Sequence, residues 1–135
     1  MPLKISKNYS ISFNAKKRIK KNIKFVIFHY TGMRTEKAAI KRLTDIQSQV
    51  AAHYLVKKNG EIINMVPDLY TAWHAGISYW NKEYSLNKSS IGIEITNPGH
   101  QFGYKKFSKK QINSLIILSE MIIRKYKIKK ENFLG

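Results

Sequence analysis

Two histidines and one glutamate stand in this sequence at positions where their side chains could do chemistry. His29 ends a run of four apolar residues, Glu94 interrupts an isoleucine-rich run, and His74 follows Trp73 in an aromatic stretch. A neutral imidazole can bind zinc, and zinc lowers the pKa of its bound water so that a nearby carboxylate can accept the proton. Together the three residues suggest metal-assisted hydrolysis.

Each of these residues also has an ordinary structural interpretation, and the local pattern leaves both open. A lone histidine at a strand end is more often structural than a ligand. Alternation places Glu94 on the face opposite Ile93 and Ile95. It is an outward strand residue if that face meets solvent, and a general base with a raised pKa if the face lines a cleft. His74 belongs either to a pocket wall or to a loop anchored by a buried tryptophan.

The other two histidines suggest no further chemistry, and the common catalytic motifs do not occur in the sequence. His53 is interpreted as a core or hydrogen-bonding histidine, and His100 as an exposed loop residue. The sequence contains no HExxH, GxSxG or P-loop motif. It contains no cysteine, which excludes disulfides and a thiol nucleophile.

The elements that must position these residues alternate between strands and helices. The order is strand, helix, hairpin, long loop, strand and helix, which predicts the α/β (α+β) class: a single mixed β-sheet flanked by helices. The supporting signals are a buried strand over 23–29, a helix capped by Thr35, a hairpin of strands 53–58 and 61–66 joined by Asn59-Gly60, an aperiodic loop over 68–89, and a strand over 91–96.

A second helix follows a capping box formed by Ser108 and Gln111. Its apolar residues cover so much of the circumference that it is expected to be largely buried. They are Ile112, Leu115, Ile116, Ile117, Leu118, Met121, Ile122, Ile123 and Tyr126.

Length and charge limit the class of protein. The 135 residues predict one domain, with a basic N-terminal segment over 1–22 and the domain over 23–135. The net charge of +17 attracts anionic polymers in general, but the sequence shows no basic reading helix, so nucleic acid is not an expected partner. No apolar run is long enough for a secretory signal or a membrane span, and the expected location is cytoplasmic, with the periplasm as the alternative.

Three stretches carry a family resemblance in the right order. They are FVIFHYTG at 25–32, VAAHYLVKKNGEIINMVPDLYTAWHAGISYW at 50–80, and SSIGIEITNPG at 89–99. The chain resembles the zinc-dependent N-acetylmuramoyl-L-alanine amidases of the type-2 family, which also includes peptidoglycan recognition proteins and phage amidases. The resemblance implies hydrolysis of the amide between N-acetylmuramic acid and the L-alanine of the stem peptide, with peptidoglycan or a muropeptide as the partner.

The resemblance also implies roles for individual residues. His29 corresponds to the first zinc ligand, and Glu94 to the general base that acts on the zinc-bound water. Trp73, His74, Ala75 and Gly76 border the substrate cleft and bind substrate. Asn97, which follows the catalytic strand, is expected to line the same groove.

The sequence departs from the family pattern at its C-terminal end. The family continues after the long helix with a strand that carries a second zinc-binding histidine, followed by an aspartate as the third ligand. This sequence ends at Asn132-Phe133-Leu134-Gly135, so it contains one of the three implied ligands. The expectation is an amidase truncated at its C-terminus, with the missing segment supplied separately. The alternative is a non-catalytic remnant that binds muropeptides. The incomplete last strand also predicts association through an exposed sheet edge.

Overall fold

The computed structural model describes residues 4–10, 13, 16–74, 79–80, 83–84, 86–99, 103 and 105–135. The strands are β1 (Ile5–Lys7), β2 (Phe25–Tyr30), β3 (Tyr54–Val56), β4 (Ile62–Asn64), β5 (Tyr79–Trp80), β6 (Glu83–Tyr84), β7 (Ser90–Ile95) and β8 (Phe133–Leu134). The α-helices are α1 (Glu36–Thr44) and α2 (Lys109–Tyr126). Short 3₁₀ helices cover Lys20–Asn22, Ile46–Ser48, Leu86–Ser89 and Lys130–Asn132. Within these described residues, none of the helices has the length and apolar character needed to cross a membrane.

Six of the strands form one mixed sheet in the order β1-β4-β3-β7-β2-β8. The β3–β4 hairpin is antiparallel, and every other neighbouring pair is parallel. The predicted fold class is therefore confirmed. A separate two-stranded sheet of β5 and β6 lies within the stretch predicted to be an aperiodic loop.

The two α-helices cover opposite faces of the sheet, because alternate residues of each strand join different clusters. Ile91 and Ile93 of β7 pack with Leu118 and Ile122 of α2. Leu55 of β3 packs instead with residues of α1 and its surroundings, in a cluster that also contains Leu43, Ala52, Ile63 and Met65. Glu94 is on the α1 face, opposite Ile93, as the alternation predicted.

Both helix starts follow the predicted capping. The Thr35 hydroxyl accepts a hydrogen bond from the Ala38 amide at 3.1 Å. Ser108 and Gln111 form a reciprocal capping box, in which each side chain binds the other residue's backbone N–H at 3.0 Å. These bonds satisfy amides that have no partner within the helix, so the chain enters each helix at a defined residue.

The prediction of a largely buried α2 was wrong. Ile112, Ile116, Ile117 and Met121 are 46%, 53%, 44% and 38% exposed, whereas Leu118 is 0% exposed. The sheet reaches only one side of the helix, through Leu118, Ile122 and Tyr126. Apolar composition alone therefore overstated how much of the helix the sheet could cover.

The hairpin turn also differs from the predicted two-residue type. Gly60 has φ of +87°, but Asn59 is not among the residues with positive φ. The Gly60 amide donates to the Lys57 carbonyl, and the Lys57 amide donates to the Glu61 carbonyl, each at 2.8 Å. The loop therefore has three residues and ends in a left-handed glycine, which is the next most common hairpin connection.

Candidate active site

The centre of the candidate site is a pair of neighbours on adjacent parallel strands. His29 of β2 is in register with Glu94 of β7, and Glu94 is in register with Leu55 of β3. Residues in register on adjacent strands project to the same side of the sheet. His29 and Glu94 therefore lie side by side on the α1 face, next to the apolar cluster around Leu55. Two residues 65 positions apart in the sequence are brought together in this way.

A cavity of about 220 Å³ opens over this pair. Its polar lining includes His29, Glu94, His74, Arg42 and Thr31. The remaining lining residues are Tyr30, Met33, Ala39, Leu43, Val50 and Ala51. The structure thus brings together the three residues that the sequence singled out for hydrolysis.

Glu94 has the environment expected of a general base. Burial raises the pKa of its carboxyl from 4.5 to about 7, and the charge of Arg42 acts in the opposite direction. Its Oε2 atom is buried and has no hydrogen-bond partner among the described residues. A carboxyl with a free oxygen and a pKa near neutrality can both accept and return a proton.

His29 and His74 are linked in a chain of polar atoms that ends inside the sheet. Nε2 of His29 lies 3.1 Å from Nδ1 of His74, and Nε2 of His74 lies 2.8 Å from Oγ of Ser90. Burial is the main reason why the pKa of both imidazoles is below the ordinary value. Both rings are therefore neutral at pH 7, and each has one nitrogen that donates and one that accepts.

Gly92 leaves the space that the His74 ring occupies. A Cβ atom on Gly92 would lie 2.4 Å from Cγ and 2.7 Å from Nδ1 of His74. No real side chain tolerates contacts this short. The glycine in the middle of β7 thus allows the imidazole to lie directly on the sheet between His29 and Ser90.

His53 is the core histidine that the sequence predicted. It is 0% exposed. Its Nδ1 accepts the Gly92 amide at 3.0 Å, so its Nε2 carries the hydrogen and donates to the Tyr70 carbonyl at 2.7 Å. Burial and the nearby Arg18 lower the pKa of His53 to about 3. This histidine holds the loop after β4 against β7 and does not line the cavity.

The ends of β2 and β7 are joined by Thr31 and Asn97. The Thr31 hydroxyl donates to the Asn97 carbonyl and accepts from the Asn97 amide, both at 3.2 Å. The Asn97 side chain donates to the Lys105 carbonyl and accepts from the Gly99 amide. Asn97 lines a neighbouring cavity of about 150 Å³ that shares Thr31 with the first. Its polar atoms bind the chain itself in this structure.

The predicted cleft residues 73–76 are only partly within the described chain. The Trp73 carbonyl accepts the Ala51 amide at 2.9 Å, which holds the loop beside the α1 face. His74 lines the cavity. Ala75 and Gly76 lie outside the described residues, as does His100.

Zinc usually takes four ligands from histidine, cysteine and carboxylate side chains. The described residues contain no group of three or more such side chains that could hold a metal ion. His29 supplies one donor in the cavity, and the part of the chain that the structure describes does not complete a zinc site.

Comparison with known proteins decides the family. A sequence profile described as N-acetylmuramoyl-L-alanine amidase matches residues 19–135. The chain belongs to the N-acetylmuramoyl-L-alanine amidase family.

The similar proteins include two from bacteria. N-acetylmuramoyl-L-alanine amidase AmiD of Escherichia coli K12 is 41% identical over 122 residues, which covers 82% of this chain and 43% of AmiD. The solved structure of AmiD is a complex with the substrate anhydro-N-acetylmuramic acid-L-Ala-D-γ-Glu-L-Lys. It matches this chain at a TM-score of 0.73 and 40% identity, and the match covers 83% of this chain and 47% of the AmiD chain. AmpDh3 of Pseudomonas aeruginosa matches at a TM-score of 0.77 and 30% identity, covering 93% and 54%. The chain thus spans about half the length of these relatives.

The sequence pattern did not indicate two polar residues that contact the candidate site. Arg42 lines the cavity, and its charge opposes the rise in the pKa of Glu94. Its spacing of three from Ala39, another lining residue, is the signal that could have indicated this position. Ser90 carries no such signal, because its contact with His74 arises only from the packing of the loop on β7.

Proposed function

We propose that this protein hydrolyses the amide between the lactyl group of N-acetylmuramic acid and the L-alanine of the stem peptide in peptidoglycan or muropeptides. The observation that carries the proposal is the carboxyl of Glu94, which has a raised pKa and a free oxygen in the same cavity as His29. The family and the substrate named in the AmiD complex support the choice of bond.

In this proposal Glu94 moves one proton through both halves of the reaction. The ionised carboxyl accepts a proton from the water that attacks the amide carbonyl carbon. When the carbon–nitrogen bond breaks, the carboxyl returns that proton to the leaving amine. A pKa of about 7 suits both steps, because the group is neither too weak a base nor too weak an acid near neutral pH.

We also propose that His29 is a zinc ligand. The resemblance and the position of the imidazole in the cavity support this role. The two further ligands that the family pattern places beyond Gly135, and with them the truncation, stay predictions. Zinc would polarise the amide carbonyl and activate water, which is the chemistry that such a metal supplies when bound.

Zinc content tests the ligand role directly. In a protein that carries the segment with the two further ligands, we expect about one zinc per chain after dialysis and loss of that zinc in His29→Ala, since the variant removes a donor. Atomic absorption on the two purified proteins makes the comparison. Equal zinc content in both would show that His29 is not a ligand.

The remaining site and location assignments are part of the proposal. Trp73, His74, Ala75 and Gly76 bind substrate along one side of the cleft, and Asn97 lines its continuation. A domain over 23–135 that follows a basic segment, and a cytoplasmic or periplasmic location, stay predictions.

Cleavage of a defined substrate tests the function. We expect the protein to convert anhydro-N-acetylmuramyl-peptide into anhydro-N-acetylmuramic acid and a free peptide with an N-terminal L-alanine, as followed by mass spectrometry. Binding of the substrate without this product would favour the non-catalytic alternative. Release of any other fragment would contradict the assigned bond.

A further inference from the structure

Ser90 is a buried polar residue to which neither the resemblance nor the proposed reaction assigns a role. It begins β7 and is 0% exposed. Its hydroxyl lies 2.8 Å from Nε2 of His74. The neighbouring Ser89 is also buried, but its hydroxyl has no hydrogen-bond partner among the described residues. Of these two adjacent serines, therefore, only Ser90 contacts the site.

The contact matters because it extends to the cavity through a single imidazole. His74 uses one ring nitrogen for Ser90 and the other for His29, at 3.1 Å. In a neutral imidazole one nitrogen donates and the other accepts, so the bond on one side of the ring determines the role of the other side. Two proton arrangements satisfy the whole chain of contacts, and they differ in whether Nε2 or Nδ1 of His29 carries the hydrogen.

The geometry points to Ser90 as a positioning residue for His29. The Ser90 hydroxyl accepts a hydrogen bond from Nε2–H of His74, so Nδ1 of His74 is unprotonated and accepts from Nε2–H of His29. The Nδ1 atom of His29 then keeps its lone pair. The direction of the chain rests on the proposed function, because that function needs a nitrogen of His29 that is unprotonated and accepts no hydrogen bond from His74. Gly92 belongs to the same arrangement, because a side chain at this position would occupy the space of the His74 ring between His29 and Ser90.

Nitrogen-15 NMR of the imidazoles tests the arrangement at pH 7, because protonated and bare ring nitrogens have separate chemical shifts. In the wild-type protein we expect hydrogen on Nε2 of both His29 and His74 and a bare Nδ1 on each. Hydrogen on Nδ1 of His29 would overturn the proposal, whatever any variant does.

A pair of adjacent variants tests the role of the hydroxyl. Ser90→Ala removes the acceptor, so we expect the His74 ring to lose its single tautomer and the nitrogen signals of His29 to shift. Ser89→Ala removes a buried hydroxyl that makes no hydrogen bond to any described residue, so the signals should stay at their wild-type positions. Identical spectra for the two variants would overturn the proposal. Ser90→Thr, which keeps the hydroxyl, should restore the wild-type signals.

Kinetics provide a second readout that a merely structural role would not produce. If His29 is misplaced, we expect Ser90→Ala to lower kcat by about 10²-fold with little change in KM, while Ser89→Ala keeps both values. Equal kcat in the two variants would overturn the positioning role.

The spectra and the kinetics together distinguish the failure of the proposed function from the failure of the role of Ser90. A wild-type protein with the expected spectrum but no cleavage would refute the function alone, and a cleaving protein with indistinguishable variants would refute the role of Ser90 alone.

Discussion

At the scale of single residues, Glu94 links the chemistry of the site to the stability of the fold. Its carboxyl lines the cavity on the α1 face of the sheet, and burial raises its pKa from 4.5 to about 7. Between about pH 4.5 and pH 7, therefore, Glu94 is mostly protonated in the folded state and mostly ionised in the unfolded chain. The sign follows from linkage: stability falls as pH rises wherever the folded state binds more protons.

This sign predicts how the free energy of unfolding responds to pH. Between pH 5 and pH 8 the raised pKa should cost the wild-type protein about 2 kcal/mol of stability, a cost that Glu94→Gln avoids because glutamine does not ionise. Urea unfolding of both proteins at the two pH values measures the difference. The other titrating groups are common to both proteins and cancel. An equal pH dependence in the two proteins would mean that Glu94 is not buried as described.

The sequence predicted the two central residues of the site but not their partners. His29 and Glu94 could be found because each breaks an apolar strand pattern, and that pattern is local. The His29–His74 contact and the hydroxyl of Ser90 could not be found, because they depend on how the loop after β4 lies on β7. A glycine in a strand indicates a close approach of some kind, but it does not say which side chain approaches.

At the scale of elements, the alternation along β7 and the helix caps followed from the sequence, whereas the burial of α2 did not. Period and capping are properties of the helix itself. Burial depends on how wide a surface the sheet offers, and the described part of α2 meets the sheet through a narrow stripe. Similarly, Asn59-Gly60 predicted a hairpin correctly, yet the turn type depended on how Lys57 and Glu61 pair at the ends of the strands.

Two substitutions on α2 test this orientation. Leu118 is 0% exposed and packs against the sheet, so Leu118→Ala should lower the free energy of unfolding by about 2–5 kcal/mol through lost packing and a cavity. Ile116 is 53% exposed, so Ile116→Lys should change it by less than about 0.5 kcal/mol. Chemical denaturation of both variants makes the comparison. A large loss in Ile116→Lys would show that this face is covered.

At the scale of the whole molecule, the mixed sheet determines where chemistry can occur. Parallel pairing of β2 and β7 brings two strand ends to one edge, and Thr31 and Asn97 join those ends. The outer strands of the sheet are β1 and β8, each of only two or three residues. The association predicted through an exposed edge stays a prediction. β1 also shows that part of the basic N-terminal segment belongs to the sheet, which its charge pattern did not indicate.

The net charge of +17 is a property of the whole surface and does not define the reaction. It draws the protein toward anionic polymers over distances of about 8 Å at physiological salt, where screening sets in. Under the proposed function, the specificity for one amide bond comes instead from the cavity on the α1 face. The pairing of His29 and Glu94 beside that cavity is the central claim about the molecule.

The most direct test of that claim is the rate of muramoyl–L-alanine amide cleavage by Glu94→Gln compared with Glu120→Gln. Both variants remove one carboxylate, but Glu120 is exposed on α2, away from the lining of the cavity. We predict that Glu94→Gln lowers kcat by about 10²–10⁴-fold, the range typical of a general acid–base group, while Glu120→Gln keeps the wild-type rate. A Glu94→Gln protein that cleaves the amide as fast as the Glu120→Gln control would contradict the account.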